Sequence, residues 1–199
     1  MIKLGLTGSI GMGKSTIAQM FRDEGIAVWD ADEAVHRLYA NSPLAKQQLT
    51  EAFGDVLTDN HVDRVKLSAA LKTAENGFDR LNAIVHPLVV DDRKVFVDSQ
   101  DRRHAELIVV DIPLLFETGA EAYLDYVLVV SAPAEVQRQR VMARSGMTED
   151  KFSAILARQM PDAEKRRRAR FIIDTSQSLD VCRAEVRKIV NTFTGSGLA

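Results

Sequence analysis

Gly8-Ser9-Ile10-Gly11-Met12-Gly13-Lys14-Ser15, near the start of a 199-residue chain, matches the pattern G-x-x-x-x-G-K-[ST] of a phosphate-binding loop. Glycines let the backbone curl until successive N–H groups converge on one anion. We expect Lys14 to supply positive charge to the outer phosphates and Ser15 to offer its hydroxyl to Mg²⁺. The helix predicted to start near Lys14 points its positive end at the same place.

The sequence on either side of this loop supports the interpretation. Residues 3–7 are short and apolar and predict a strand, and residues 16–22 carry apolar side chains at helical spacing. The alternative is a glycine-rich turn that binds nothing, but such a turn has no use for Lys14 and Ser15 together. The loop therefore predicts a nucleotide site between a strand and a helix.

Composition limits the class of protein. With 46% hydrophobic residues, a formal net charge of −2 and a pI near 6.1, the chain suits one domain with an inserted lobe. This charge argues against nucleic acid or an anionic membrane as a partner. The single cysteine, Cys182, excludes an intrachain disulfide and is expected to be a small buried residue. Without a leader or a long apolar segment, a cytoplasmic protein is expected.

Short apolar runs alternate with longer amphipathic ones, as in parallel α/β proteins. Strands are predicted at residues 3–7, 26–29, 107–111, 126–130 and 171–174. Residues 44–102 show no clear buried strand and predict a block of helices. The long helix of this block, at residues 78–97, is expected to be interrupted near His86-Pro87, because proline lacks an N–H donor.

Acidic residues follow the second and third strands, at the sheet edge where ligands bind in open α/β folds. Asp30, with Glu33 three residues later, is typical of a helix cap. Asp32 is the better candidate to accept a proton from an attacking hydroxyl. Asp111 closes the third strand, where an acid can support Mg²⁺, although it could instead cap a helix or turn. The apolar residues that follow, 112–116, are expected to be exposed enough to line an acceptor pocket.

Arginines after the fourth strand could form a cationic clamp for a transferring phosphoryl group. Arg140 is the first candidate and Arg144 the second. Residues 140–159 are predicted to form a hinged lid that excludes water. The basic run at residues 165–170 is interpreted as a solvated helix face or a flank of the nucleotide site. Binding of nucleic acid is the less favoured alternative, since no aromatic residues interleave with the charges.

Several motifs together resemble the dephospho-CoA kinase family and cover nearly the whole chain. They are the stretch of residues 6–16, Asp30-Ala31-Asp32, His86-Pro87-Leu88, the stretch of residues 111–117 and Arg158-Gln159-Met160. The resemblance implies the last step of coenzyme A synthesis, in which ATP phosphorylates the ribose 3′-hydroxyl of dephospho-CoA. It also implies an α/β P-loop kinase similar to nucleoside monophosphate kinases, with a five-stranded parallel sheet and helices on both faces.

The resemblance further implies a single kinase domain with a core at about 1–40, 104–140 and 170–195, a helical CoA lobe at about 41–103 and a lid at about 140–165. Asp32 would be the base, Lys14 and Arg140 the charge stabilisers, and Ser15 and Asp111 the Mg²⁺ ligands. The implied nucleotide contacts are Gly8, Gly11, Met12, Gly13, Lys14, Ser15 and Thr16. The implied acceptor contacts are Asp32, His86, Pro87, Leu115, Phe116, Glu117 and Arg144. A monomer or weak homo-oligomer is expected.

Three other functions stay open at this point. A kinase for another small acceptor, such as a nucleotide or a sugar acid, would share the loop. A GTP-dependent switch is disfavoured because the chain has no Asn-Lys-x-Asp, and Asp111 is followed by Ile-Pro-Leu rather than by x-x-Gly. A nucleic-acid module would use the basic residues around Arg166 and would show salt-dependent binding.

Overall fold

The computed structural model describes residues 1–195, which divide into two compact units: residues 1–29 together with those from 100 onward, and residues 30–99. The strands are β1 (Ile2–Thr7), β2 (Ala27–Asp30), β3 (Leu57–Thr58), β4 (His61–Val62), β5 (Leu107–Asp111), β6 (Tyr126–Ser131) and β7 (Phe171–Asp174). The α-helices are α1 (Lys14–Asp23), α2 (Ala31–Asn41), α3 (Pro43–Phe53), α4 (Arg64–Thr73), α5 (Gly77–Asp101), α6 (Ala134–Met142), α7 (Glu149–Leu156), α8 (Asp162–Arg168) and α9 (Leu179–Thr194).

Five strands form one sheet in the order β2-β5-β1-β6-β7. The pairs β1–β5, β1–β6 and β6–β7 are parallel, so the carboxyl ends of these strands meet at one edge. Both faces carry helices, and every residue of β5 is buried, as expected of a parallel strand covered on both sides. The predicted α/β fold class is confirmed, and each predicted strand agrees with the structure to within one residue at either end.

The main core packs α1 and α9 against the sheet. Cys182, Val186, Ile189 and Val190 of α9 are buried, with the spacing of one helix face. Val181 lies off this face and is 46% exposed. The prediction that Cys182 is buried is confirmed.

The second unit contains α2, α3, α4, most of α5 and the β3–β4 hairpin, with a small cluster of Leu49, Val56, Val62, Leu67 and Leu71. Here the predicted interruption near Pro87 is wrong, because α5 runs unbroken from Gly77 to Asp101. Proline removes only the N–H that would reach the carbonyl of Ala83, while the turns on either side keep their own hydrogen bonds.

None of the helices in the described part of the chain combines the length and the apolar character that a bilayer span requires.

Candidate functional site

The loop between β1 and α1 has a backbone that requires glycine. Gly11 and Gly13 have φ values of +78° and +83°, in the left-handed region. A Cβ atom at Gly11 would also lie 2.5 Å from a methyl group of Val141, closer than any real contact allows. The loop therefore lies tightly against α6, with its backbone curled as an anion-binding loop demands.

The start of α1 is open to an anion. Gly13 occupies the cap position and supplies no side-chain cap, and the first turn carries no acidic residue. Backbone N–H groups at such a terminus lack partners within the helix and carry partial positive charge. Ser15 and Thr16 are exposed beside it, whereas the Met12 side chain is 2% exposed and its Sδ accepts the Ala132 N–H at 3.1 Å. The Met12 side chain is thus not available to a nucleotide.

Two glutamine side chains hold the tip of the loop. The Ile10 N–H donates to Oε1 of Gln159 at 3.1 Å, and the Ile10 carbonyl accepts from Nε2 of Gln137 at 2.8 Å. Gln137 lies on α6 and Gln159 follows α7. Sequence reasoning missed Gln137 and noted Gln159 only as part of a family motif, because neither belongs to a pattern with a known chemical role.

Lys14 and Asp111 form an ion pair, with 2.5 Å between Nζ and Oδ1. The β1–β5 register pairs Leu6 with Asp111, which puts the carboxylate at the sheet edge where the loop begins. The Asp111 side chain is fully buried and that of Lys14 is 16% exposed. The two residues that the sequence singled out as cation and metal ligand therefore lie in direct contact.

Ser15 and Asp111 offer a hydroxyl and a carboxylate, which are hard oxygen donors that suit Mg²⁺. Within residues 1–195, no three acidic, histidine or cysteine side chains converge so as to hold a metal by themselves. Mg²⁺ usually keeps several waters and takes one or two protein ligands together with substrate phosphates. This donor set fits a metal ion that arrives with a nucleotide.

A cavity of about 290 Å³ adjoins the loop. Its lining comes from the loop, α1, α6 and the residues after it, the residue after β7 and the start of α9: Gly11, Gly13, Ser15, Thr16, Ile17, Arg140, Arg144, Thr175, Leu179 and Cys182. Arg140 is held by Thr175, whereas Arg138 pairs with Glu149 on the surface and Arg158 is exposed. Of these four arginines after β6, Arg140 and Arg144 are the ones that line the cavity.

The basic run at residues 165–170 is only partly a solvated face. Arg166, Arg167 and Arg168 are exposed, but the expectation is wrong for Lys165, which is fully buried. Its Nζ lies 2.8 Å from Oε1 of Glu117, and the same oxygen accepts the Met160 N–H at 2.7 Å. A buried lysine is tolerated here because this carboxylate pairs with it.

The apolar stretch after β5 is also more buried than expected. Leu115 and Phe116 are 0% and 6% exposed. Gly5 of β1 has no side chain, and a Cβ there would lie 2.7 Å from the Leu115 Cδ1 methyl. The space left by this glycine lets the chain turn back into the core after β5, which sequence periodicity does not reveal.

We expect Lys165→Met to lower the free energy of unfolding by about 3 kcal/mol, because it leaves the half-buried Glu117 carboxylate without its cation. Urea denaturation measures this change. The double variant Lys165→Met/Glu117→Gln should recover most of the loss, since a neutral amide still accepts the Met160 N–H. Equal losses in the single and double variants would contradict a role for the ion pair.

The same pair makes stability depend on pH. Burial alone would raise the pKa of Glu117, but hydrogen bonds from Lys165 and Met160 outweigh it and hold this pKa below its ordinary value of 4.5. A lowered pKa stabilises the fold above the unfolded-state pKa, and this contribution disappears as the pH falls through the folded-state pKa. The stability difference between wild type and Glu117→Gln should therefore shrink below about pH 4.5.

Asp30, Asp32, His86 and Pro87 lie in the second unit. The Asp30 carboxylate caps α2, accepting the N–H groups of Asp32 at 2.8 Å and Glu33 at 3.0 Å, so the capping role predicted for Asp30 is confirmed. Asp32 is exposed in the first turn of α2, and its carboxylate is not the cap. His86 and Pro87 are exposed on α5.

Comparison with known proteins identifies the family of the whole chain. Residues 2–180 match the family model described as dephospho-CoA kinase. A dephospho-CoA kinase of Mesorhizobium japonicum is 54% identical over 195 residues, which cover 98% of each chain. A crystal structure of TT1252 from Thermus thermophilus has a TM-score of 0.80 and 34% identity, with 98% of each chain covered.

A dephospho-CoA kinase structure from Campylobacter jejuni has a TM-score of 0.73 and 26% identity, covering 97% of this chain and 98% of that one. The family model and the relatives span nearly the whole sequence, and the loop, Lys14 and Asp111 lie within the matched residues. The chain therefore belongs to the dephospho-CoA kinase family.

Proposed function

We propose that this kinase transfers the γ-phosphoryl group of ATP directly, by in-line displacement, to the ribose 3′-hydroxyl of dephospho-CoA. The observation that carries the proposal is the uncapped start of α1 beside the Lys14–Asp111 pair. This arrangement offers backbone N–H groups and a cation to a phosphate chain, and a carboxylate to its metal ion.

Each part of the nucleotide site then has a chemical role. The loop N–H groups bind the phosphates, Lys14 supplies positive charge to the outer ones, and Arg140 stabilises charge on the group in transfer. Ser15 and Asp111 would hold Mg²⁺, which would neutralise negative charge on the phosphates. The remaining implied ATP contacts, Gly8, Gly11, Met12, Gly13 and Thr16, would act through the main chain or, for Thr16, its exposed hydroxyl.

On the acceptor side we assign Asp32 as the group that orients or deprotonates the 3′-hydroxyl. An exposed carboxylate that is not used as a cap is free to serve an incoming substrate. His86, Pro87, Glu117 and Arg144 would contact dephospho-CoA, and the buried Leu115 and Phe116 would shape the acceptor pocket from behind. In this proposal the helical block at about 41–103 binds the CoA moiety, and residues 140–165 act as the lid.

A coupled assay of ADP release tests the proposal. We expect turnover with ATP and dephospho-CoA, and little with adenosine, gluconate or with GTP as donor. Lys14→Ala serves as the matched inactive control. Turnover with gluconate or adenosine in preference to dephospho-CoA would contradict the assignment. The cytoplasmic location and the monomeric or weakly oligomeric state stay predictions.

A further inference from the structure

We infer that Thr175 is a positioning residue for phosphoryl transfer, which ties Arg140 to the phosphate-binding loop. This inference rests on the proposed function, in which Arg140 stabilises the transferring group. Thr175 belongs to no motif of the sequence, and its place in the fold gives it this role.

The sheet fixes where Thr175 lies. It is the first residue after β7, which runs parallel to β6 with Asp174 opposite Ser131. The Thr175 N–H donates to the Ser131 carbonyl at 2.9 Å, extending the ladder by one bond. A Cβ atom at Gly13 would lie 3.2 Å from the Thr175 hydroxyl oxygen, so Thr175 packs directly against the loop. Thr175 therefore lies at the loop edge of the sheet on a rigid backbone.

Its hydroxyl joins two parts of the nucleotide site. Oγ1 donates to the Met12 carbonyl at 2.8 Å, with the Ser131 carbonyl more distant at 3.3 Å. Oγ1 also accepts from Nη1 of Arg140 at 2.9 Å. A hydroxyl has one proton to donate, and here it goes to the loop, while a lone pair receives the guanidinium.

The Thr175 carbonyl completes the contact by accepting from Nη2 of Arg140 at 2.6 Å. Two acceptors on one residue thus bind both Nη groups of the planar guanidinium and fix its orientation. Thr175 is 8% exposed, so water competes little for these bonds. An arginine side chain otherwise has many rotamers, and fixing it before the reaction lowers the cost of placing its charge.

Two conservative variants separate the hydroxyl from the shape of the side chain. Thr175→Val keeps the volume, but its side chain can neither donate to the Met12 carbonyl nor accept from Nη1 of Arg140, and we expect kcat to fall about tenfold. Thr175→Ser keeps the hydroxyl and should stay within about twofold of wild type. KM for dephospho-CoA should change little in either variant. Thermal unfolding of both variants confirms that they are folded.

A double-mutant cycle with Arg140→Ala decides whether Thr175 acts through Arg140. We expect Thr175→Val to cause little further loss of kcat in the Arg140→Ala background. A wild-type kcat for Thr175→Val, or the same loss in both backgrounds, would overturn the inference. Arg140→Ala with undiminished kcat would instead refute the proposed role of Arg140, and the inference with it.

A crystal structure of Thr175→Val gives a readout independent of turnover. The Arg140 guanidinium should leave its wild-type position or become spread over several rotamers. If the Arg140 guanidinium stays in its wild-type position in Thr175→Val, the inference is overturned. This result does not depend on which acceptor the wild-type protein phosphorylates.

Discussion

Lys14→Ala is expected to lower kcat by about 100- to 1,000-fold, the cost of losing one charge-stabilising donor in a preorganised site. It should also weaken ATP binding, because in the proposed mechanism Lys14 contacts the phosphates in the ground state as well as in the transition state. Steady-state kinetics with ATP and dephospho-CoA measure the first effect, and calorimetric titration with Mg·ATP measures the second.

Loss of Lys14 has a structural effect that must be kept apart from the catalytic one. The substitution leaves the buried Asp111 carboxylate without this partner, so stability should fall as well. The double variant Lys14→Met/Asp111→Asn removes both charges and should regain stability without regaining turnover. A Lys14→Ala protein with near-normal kcat would contradict the role assigned to the loop.

Asp32→Asn is expected to remove most turnover, by about 100- to 10,000-fold, because an amide cannot take the proton of the attacking hydroxyl. ATP binding should survive, since Asp32 lies outside the loop. Measuring kcat beside the Kd of Mg·ATP tests both statements. A near-normal kcat would show that the base is assigned to the wrong residue.

Asp30→Asn is the matched control for Asp32→Asn. It removes a carboxylate only two residues away, and asparagine caps helices about as well as aspartate. The cap on α2 should therefore persist, and turnover should stay close to wild type. If Asp30→Asn is the more damaging variant, the proton acceptor is Asp30, and its hydrogen bonds to Asp32 and Glu33 are not its main role.

The sheet could be predicted closely because its strands carry strong local signals. The strand ending at Asp111 has five buried residues, and the strand at 171–174 ends where polar residues begin. Helix α5 was harder, since whether Pro87 breaks it depends on the bonding of neighbouring turns. The burial of Lys165 depends on Glu117, a partner distant in sequence, and no local pattern contains that information.

The residues of the candidate nucleotide site also fall into those with a local sequence signal and those that depend on partners distant in sequence. Lys14, Ser15 and Asp111 could be proposed as site residues because they belong to a loop motif or end a strand of the sheet. Gln137, Gln159 and Thr175 act through tertiary hydrogen bonds and belong to no motif with an assigned chemistry. Thr175 alone had an available signal, as the residue just beyond the carboxyl end of a parallel strand, where ligand sites form.

The hydrogen bonds of Gln137 and Gln159 to Ile10 determine which of these positions tolerate substitution. Both partners bind the main chain of residue 10, so its side chain contributes nothing to the hydrogen bonds. Position 10 should accept many replacements, whereas positions 137 and 159 should accept few. Position 10 of the loop can therefore vary, while part of the selective constraint falls on residues more than a hundred positions away.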